Sequence, residues 1–315
     1  MFSDGGFSSP DIWIVLAINL TAFVSILLNP LVFRHNYYKK RSIARDLYMA
    51  LSTTDFISCI ILPITFSIRI LRPKEELCME LNNSTFCQNE YLRYARRATS
   101  TEKAVGGLTW YLISSPMLIT SVLAICRWYQ VKYPLRPVSK ASVKVLVAAL
   151  CCFSGIYHTI LLFADNFEGP TLMMIRTLSV YNYKPFGLEE KHLFVSIVSA
   201  MIIPCLSNIA SVSTIWNIVR SETVPGSSER RKRSKKMIST LKIALLNVGN
   251  MLFMGVIISA TATMKYSSAA DDRNHYLLMA IASCFSPILI STYNPVIYIL
   301  LTTGIFTNNS RMGRN

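Results

Sequence analysis

Three polar features lie within or at the end of apolar runs, and they indicate the chemistry open to this chain. Arg127 closes a long apolar run in "ICRWYQVKYPL", and Asp55 is the lone charge of the apolar run 47–68. The segment "NPVIY" at 294–298 lies near the end of the last such run. Ionisable groups surrounded by apolar sequence are costly and usually serve switching, ion binding or relay. We see no nucleophile with a base, metal-ligand spacing or phosphate-binding loop, so an enzyme is not expected.

The segments that carry these residues are long enough to cross a bilayer. Of the 315 residues 52% are hydrophobic and only 16% are charged, whereas soluble domains carry roughly 25% charged residues. A hydrocarbon core takes ~20 apolar residues, and its lack of water forces a helical backbone. The sequence therefore predicts an all-α membrane protein, a seven-transmembrane helix bundle with spans at 12–33, 47–68, 104–126, 143–164, 193–219, 237–264 and 276–301.

The loop charges predict the orientation of the bundle. One side carries 20 Lys and Arg against 3 acids, whereas the other carries 12 against 13. By the positive-inside rule the basic side is cytoplasmic, which predicts a multi-pass plasma-membrane protein with an extracellular N-terminus. The net charge of +15 then reflects topology and anionic inner-leaflet lipid, so the bilayer is a partner and nucleic acid is not. The predicted divisions are an extracellular segment 1–11, a membrane domain 12–301 and a short cytoplasmic tail 302–315.

The predicted outer loop 69–103 carries two modification signals. Cys78 and Cys87 lie on the side where oxidation is allowed, and we expect them to pair. The stretch "NNST" makes Asn82 and Asn83 candidate glycosylation sites.

On the predicted inner side, the polybasic run within 224–236 has two interpretations. It is either a lipid-facing anchor or a docking site for a partner.

Four stretches and one proline along the chain resemble the rhodopsin-like (class A) G protein-coupled receptors, and the resemblance implies a divergent member of that family. "LLNPLVF" (27–33) and "LYMALSTTDF" (47–56) resemble the first two helices of that family. "SVLAICRWYQVKYPL" (121–135) is similar to its third-helix motif, and Pro204 suits the proline of its fifth helix. "NPVIY" (294–298) matches its seventh-helix motif in full. The resemblance implies a receptor that binds an extracellular ligand and activates a heterotrimeric G protein.

The resemblance also implies roles for particular residues. Arg127 would contact the G protein and secure the resting state, although an arginine that only reaches for the membrane interface is an alternative. Pro295 is a plausible hinge that lets Tyr298 swing between two packings. The implied coupling and switch residues are Arg127, Trp128, Val131, Pro134, Asn294, Pro295 and Tyr298.

Asp55 is expected to face the interior with polar partners. The family binds a sodium ion at this cluster, which makes a sodium site possible here, although the family's third-helix hydroxyl position holds Pro116. The alternative is a hydrogen-bonded core that only holds the helices together; otherwise we expect no cofactor. The candidates for this polar core are Asn29, Asp55, Ser115, Ser291 and Asn294.

A ligand pocket is expected between the outer halves of the helices. Amine receptors of the family carry an acid where this chain has Thr109, and opsins carry a lysine where it has Ile288. These differences argue against a typical amine and against retinal, and leave a peptide or an uncharged or anionic small molecule. The candidate pocket residues are Thr109, Trp110, Ile113, Ser196, Ser199, Cys284 and Ile288.

The inner end of the predicted bundle departs from the family pattern. Cys126 replaces the acid that usually precedes the arginine, and Lys235 and Lys236 leave no acid on the sixth helix to pair with Arg127. We therefore expect either elevated basal activity or a restraint built from other contacts. The sixth helix also lacks the family's Trp and Pro, and a softening at Asn247, Gly249 and Asn250 is a further hypothesis.

Two other classes of protein remain as alternatives. A transporter or channel is less favoured because the spans are odd in number, no repeat is visible and Asp55 is the only interior charge. A receptor that has lost signalling and serves as a scaffold or decoy is the second alternative, because several switch residues are replaced.

Overall fold

The computed structural model describes residues 9–70, 100–164, 188–220, 227–266 and 273–302. Within these ranges the chain forms seven α-helices and no strand, so the all-helical prediction is confirmed for the described residues. The helices are α1 (Ser9–Tyr37), α2 (Ile43–Ile70), α3 (Ser100–Lys132), α4 (Lys140–Ala164), α5 (Leu188–Arg220), α6 (Ser227–Tyr266) and α7 (Arg273–Thr302).

Five stretches in the described part are long and apolar enough to cross a membrane. They are Ile12–Tyr37, Ile43–Ile64, Tyr111–Lys132, Ile202–Arg220 and Phe285–Thr302, in α1, α2, α3, α5 and α7. The protein is therefore a multi-pass membrane protein, all-helical throughout its described residues. The spans predicted at 143–164 and 237–264 coincide with α4 and α6, which are not among these five.

Several helices extend beyond the spans that hydropathy predicts. Helix α3 continues from the predicted end at 126 to Lys132, so Arg127 lies within a helix instead of starting a loop. Helix α6 begins at Ser227, ten residues before the predicted span, so the polybasic run is helical. The difference arises because hydropathy locates the apolar part of a helix, whereas Lys and Arg are good helix formers that continue it into polar surroundings.

Helix α3 occupies the centre of the bundle. It packs against α2, α4, α5, α6 and α7, whereas α4 packs mainly on α3. Helix α1 contacts α2 and α7, and α7 contacts α6, so the remaining helices surround α3. Accordingly, every residue of α3 from Leu112 to Ala124 is buried.

Two apolar clusters fill the bundle. One joins α1, α2, α3 and α7 around Ile18, Leu62 and Ile288. The other lies toward the basic end and includes Leu246 of α6. Between and beside these clusters lie the buried polar residues described next.

The two short turns at the basic end finish in serine residues that cap the next helix. Ser42 accepts from the backbone N–H of Arg45 at 3.2 Å, and Ser139 from that of Ser142 at 3.4 Å. Such side-chain caps satisfy N–H groups that a helix start leaves unpaired. These caps mark the starts of α2 and α4, directly after the short turns 38–42 and 133–139.

Candidate functional site

A buried polar cluster joins α1, α2 and α7 around the proline of the "NPVIY" segment. Pro295 has no N–H, so the carbonyl of Ser291, four residues earlier, loses its helical donor. The Ser25 hydroxyl donates to this carbonyl at 2.7 Å, and Asn29 Nδ2 approaches it at 3.2 Å. Helix α1 thus replaces the donor that α7 lacks, which is how a membrane helix tolerates a proline.

Asp55 belongs to the same cluster. Its Oδ2 accepts a hydrogen bond from Asn294 Nδ2 at 3.0 Å, which ties α2 to α7. Both side chains are buried. Asp55 Oδ1 and Asn294 Oδ1 find no hydrogen-bond partner among the described residues. The site therefore presents two buried oxygen atoms that can still accept a hydrogen bond or coordinate a cation.

A small cavity opens beside these oxygen atoms. Its volume is about 10 Å³, and the residues that line it include Asn29, Asp55, Asn294 and the two tyrosines Tyr48 and Tyr298. A buried water needs roughly this much space and two or more polar partners. Hard oxygen ligands also suit a small cation. The residues therefore fit one water molecule or one sodium ion.

Ser115, by contrast, does not line this cavity. Its hydroxyl donates to the carbonyl of Tyr111 in its own helix at 2.6 Å. Among the predicted members of the polar core, the structure thus brings together Asn29, Asp55, Asn294 and the Ser291 carbonyl, and leaves Ser115 elsewhere.

Tyr298 links the inner end of α7 to α1. Its hydroxyl donates to Asn36 Oδ1 at 2.8 Å and accepts from Lys39 Nζ at 2.9 Å. The rings of Tyr298 and Tyr48 meet edge to face at 4.8 Å between centroids. The last residue of the "NPVIY" segment is therefore held by neighbours that sequence analysis did not identify, since a motif does not show what faces it.

Arg127 connects α3 to α6 at the basic end of the bundle. Its Nη2 donates to the carbonyl of Lys236 at 3.2 Å, and its Nε lies 3.4 Å from Thr240 Oγ1. Cys126 offers no carboxylate, and no ion pair of Arg127 is found in the described part of the chain. The contact between α3 and α6 is therefore a guanidinium bonded to two neutral oxygen atoms, instead of the ion pair that Cys126, Lys235 and Lys236 rule out.

A second buried polar cluster, absent from the sequence predictions as a unit, joins α3, α5 and α6. Asn247 Nδ2 donates to the Ser207 hydroxyl, which lies 3.3 Å from the Ser121 hydroxyl. Asn250 Nδ2 donates to Thr120 Oγ1 at 3.1 Å. Because Asn247 and Asn250 are three residues apart, they share one helix face, and that spacing was the available sequence signal.

Gly249 lies between these asparagines and provides room for Tyr293. A Cβ atom at position 249 would lie 2.1 Å from Tyr293 Cε1, far inside contact distance. Tyr293 is held there by a hydrogen bond of 2.8 Å from its hydroxyl to the Leu245 carbonyl. Its ring also meets that of Phe253 edge to face at 5.7 Å. Gly249 thus allows α6 and α7 to approach closely, a role that differs from the predicted softening of the helix.

The other predicted switch residues near Arg127 lie in the last turns of α3 and in the turn that follows it. Trp128 is half-buried and lies beneath Lys132, whose Nζ is 4.9 Å from the ring centroid. Val131 is half-buried and Pro134 is exposed. The end of α3 next to Arg127 is therefore partly exposed at the surface of the bundle.

Two of the seven predicted pocket residues belong to one apolar cluster, and the other five lie outside the described side chains. Ile113 and Ile288 are buried in the same apolar cluster. The positions whose side chains are not described are Thr109, Trp110, Ser196, Ser199 and Cys284. The predicted disulfide at Cys78 and Cys87 and the glycosylation sites Asn82 and Asn83 fall outside the described residues altogether.

Comparison with known proteins adds no family assignment. No protein-family model matches the sequence, and no curated protein matches it. Three contacts distinguish the molecule: a proline break in α7 supported by α1, a carboxylate tied to α7, and an arginine bound to α6.

Proposed function

We propose that the chain is a seven-helix receptor of the G protein-coupled type, set in the plasma membrane with its N-terminus outside. In this proposal an extracellular ligand binds among the outer halves of the helices, and the inner ends rearrange to engage a heterotrimeric G protein. The observation that carries the proposal is the Arg127 contact with Thr240 and the Lys236 carbonyl on α6. It provides a weak link between two helices at the basic end of the bundle.

The energy of that link suits a switch. Hydrogen bonds of charged groups contribute about 1.5–3 kcal/mol. The distance of 3.4 Å between Arg127 Nε and Thr240 Oγ1 is long for a hydrogen bond of this type. Two conformations separated by a few kcal/mol allow a ligand to shift the population between them. A restraint of this size holds α6 against α3 at rest and yields to ligand binding.

Helix α7 supports the same proposal. Its Pro295 break is bridged by Ser25 and Asn29 of α1, so the helix is held at this point partly by side-chain hydrogen bonds. Such bonds can exchange partners without unfolding the helix. Movement of α7 at Pro295 would release Tyr298 from Asn36 and Lys39, which gives a second element with two arrangements.

The test is G protein activation in cells, with and without a ligand screen, for the native chain and Arg127→Ala at equal surface expression. We expect Arg127→Ala to lose most of the signal, because the guanidinium is the group offered to the G protein. Lys132→Ala is the matched control, since it removes an exposed cation from the same helix and should retain the signal. An unchanged signal in Arg127→Ala contradicts the proposed role, and substrate flux without any G protein response favours a transporter.

The ion content of the Asp55 cavity is tested separately. If sodium occupies it, the melting temperature of the purified protein rises in sodium chloride relative to choline chloride, and Asp55→Asn removes the difference. Equal melting temperatures in the two salts indicate a water-filled polar core that ties α2 to α7.

A further inference from the structure

Two lysines from distant parts of the sequence converge on Tyr298 at the basic end of the bundle. Lys39, in the turn after α1, places Nζ 2.9 Å from the Tyr298 hydroxyl and 5.5 Å from its ring centroid. Lys242 of α6 places Nζ 4.2 Å from the same centroid. Two positive charges therefore share one aromatic ring, whereas like charges at such separations repel each other.

Lys242 is an unusual residue to find in this position. It is only 9% exposed, and lysine is almost never buried unless it is paired. Its contacts are neutral: the Thr302 hydroxyl at 2.6 Å and the rings of Tyr298 and Tyr48. No ion pair of Lys39 or Lys242 is found among the described residues.

The two acids whose side chains the structure describes are engaged elsewhere. Asp46 Oδ2 pairs with Lys144 Nζ at 2.9 Å, and Asp55 accepts a hydrogen bond from Asn294. The sequence from 303 to 315 contains no Asp or Glu. A buried ammonium beside a second, exposed one, with no acid among the described side chains paired to either, is the arrangement that an external anion completes.

We propose that Lys39 and Lys242 bind a phosphate group, carried by an inner-leaflet lipid headgroup or by a free inositol phosphate. Lysine is a donor-only point charge well suited to phosphate oxygens. Lys39 is exposed at the rim and Lys242 lies deeper, so a phosphate at the rim would interact with both. Lys40 and Arg41 extend the basic surface beyond Lys39, as expected where a protein meets an anionic leaflet.

This site is distinct from general attraction to the membrane, because it depends on two particular lysines. It does not require that the protein signals, and it uses the proposed orientation only to decide which leaflet supplies the lipid. The binding measurement below contains no G protein, so its failure and the failure of the receptor proposal can be told apart.

The experiment measures phosphate binding by the full chain in lipid nanodiscs. One set of discs contains a phosphatidylinositol bisphosphate, and a second contains phosphatidylserine at equal surface charge. A third, neutral set receives soluble inositol trisphosphate. The proteins are the native chain, Lys39→Gln, Lys242→Gln and Lys242→Arg, with Lys40→Gln as the matched control in the same turn. Melting temperatures identify any variant that fails to fold.

We expect Lys39→Gln and Lys242→Gln each to weaken binding by at least about tenfold, since each loses a charge-assisted contact. Lys40→Gln should lose no more than about fivefold, the effect of one charge near an anionic surface. Lys242→Arg should bind as the native chain does. If Lys242→Gln does not fold, Lys39→Gln against Lys40→Gln decides the question, because both positions are exposed.

The three sets of discs distinguish the source of the phosphate. Lysine-dependent binding in the bisphosphate discs alone identifies a lipid headgroup, and the same dependence on soluble inositol trisphosphate identifies a free phosphate. Equal losses for Lys39→Gln and Lys40→Gln overturn the proposal. So does binding that is the same in phosphatidylserine and bisphosphate discs, because it would follow surface charge alone.

Discussion

Replacing Gly249 by alanine tests the close packing of α6 on α7. The added Cβ would lie 2.1 Å from Cε1 and 2.4 Å from Cζ of Tyr293, so the tyrosine ring must move. Moving it breaks the hydrogen bond to the Leu245 carbonyl and the edge-to-face contact with Phe253. These are worth about 0.5–1.5 kcal/mol each, so the displacement costs ~1–3 kcal/mol.

The chain offers a matched control on the same helix. Alanine is favoured over glycine inside a helix by up to about 1 kcal/mol, which offsets part of the cost at position 249. A Cβ at Gly255 meets nothing within 4 Å. Gly255→Ala therefore gains the higher helix propensity of alanine without a steric clash. The difference between the two variants therefore isolates the clash, at ~1–3 kcal/mol, or about 3–9 °C at ~3 °C per kcal/mol.

The assay is thermal unfolding of the purified protein, followed by the reaction of a fluorogenic reagent with cysteines such as Cys59 and Cys151, which are buried and free. We expect Gly249→Ala to melt below Gly255→Ala by the stated margin. In a Tyr293→Leu background, where the ring is absent, the Gly249→Ala penalty should disappear. If the two alanine variants melt together in the native background, the contact between α6 and α7 is not as described.

Three further substitutions test the contacts of the inner end. Thr240→Val removes about 1 kcal/mol of restraint on Arg127, so ligand-free G protein activation should rise about fivefold; the neighbouring Ser239→Ala should leave it unchanged, and a flat result for both contradicts the restraint. Cys126→Asp supplies the missing carboxylate beside Arg127, and ligand-free signalling should fall; no change argues against that effect. Asp55→Ala should lower stability by ~1–3 kcal/mol by leaving a buried amide donor unpaired, whereas Asp55→Asn keeps an acceptor oxygen and should cost less in the same melting assay; equal losses would refute this.

The helical architecture was predictable because it depends on local composition. Apolar runs of about 20 residues must be helical wherever water is absent, and five of them are long and apolar enough to span a membrane in the described part of the chain. The helix ends were less predictable. Arg127 lies inside α3 and the polybasic run lies inside α6, since helix-forming polar residues continue a helix that hydropathy no longer marks.

The polar cluster around Asp55 was only partly predictable. Asp55, Asn29 and Asn294 could be named because polar residues are conspicuous in apolar sequence. Ser25 could not, because a serine in a membrane helix gives no sign that it donates to the Ser291 carbonyl freed by Pro295, 266 residues later in the sequence. Ser115 illustrates the converse, since its hydroxyl is satisfied within its own helix.

The sequence by itself determined which segments are helical and apolar and which few residues within them are polar or charged, because composition acts over short stretches of chain. Only the tertiary structure decided what each polar group meets. Arg127 bonds neutral oxygen atoms of α6, Lys39 and Lys242 share the ring of Tyr298, and Gly249 admits Tyr293. Such pairings depend on how helices far apart in sequence are rotated and spaced against one another, and that is set by the packing of the whole bundle.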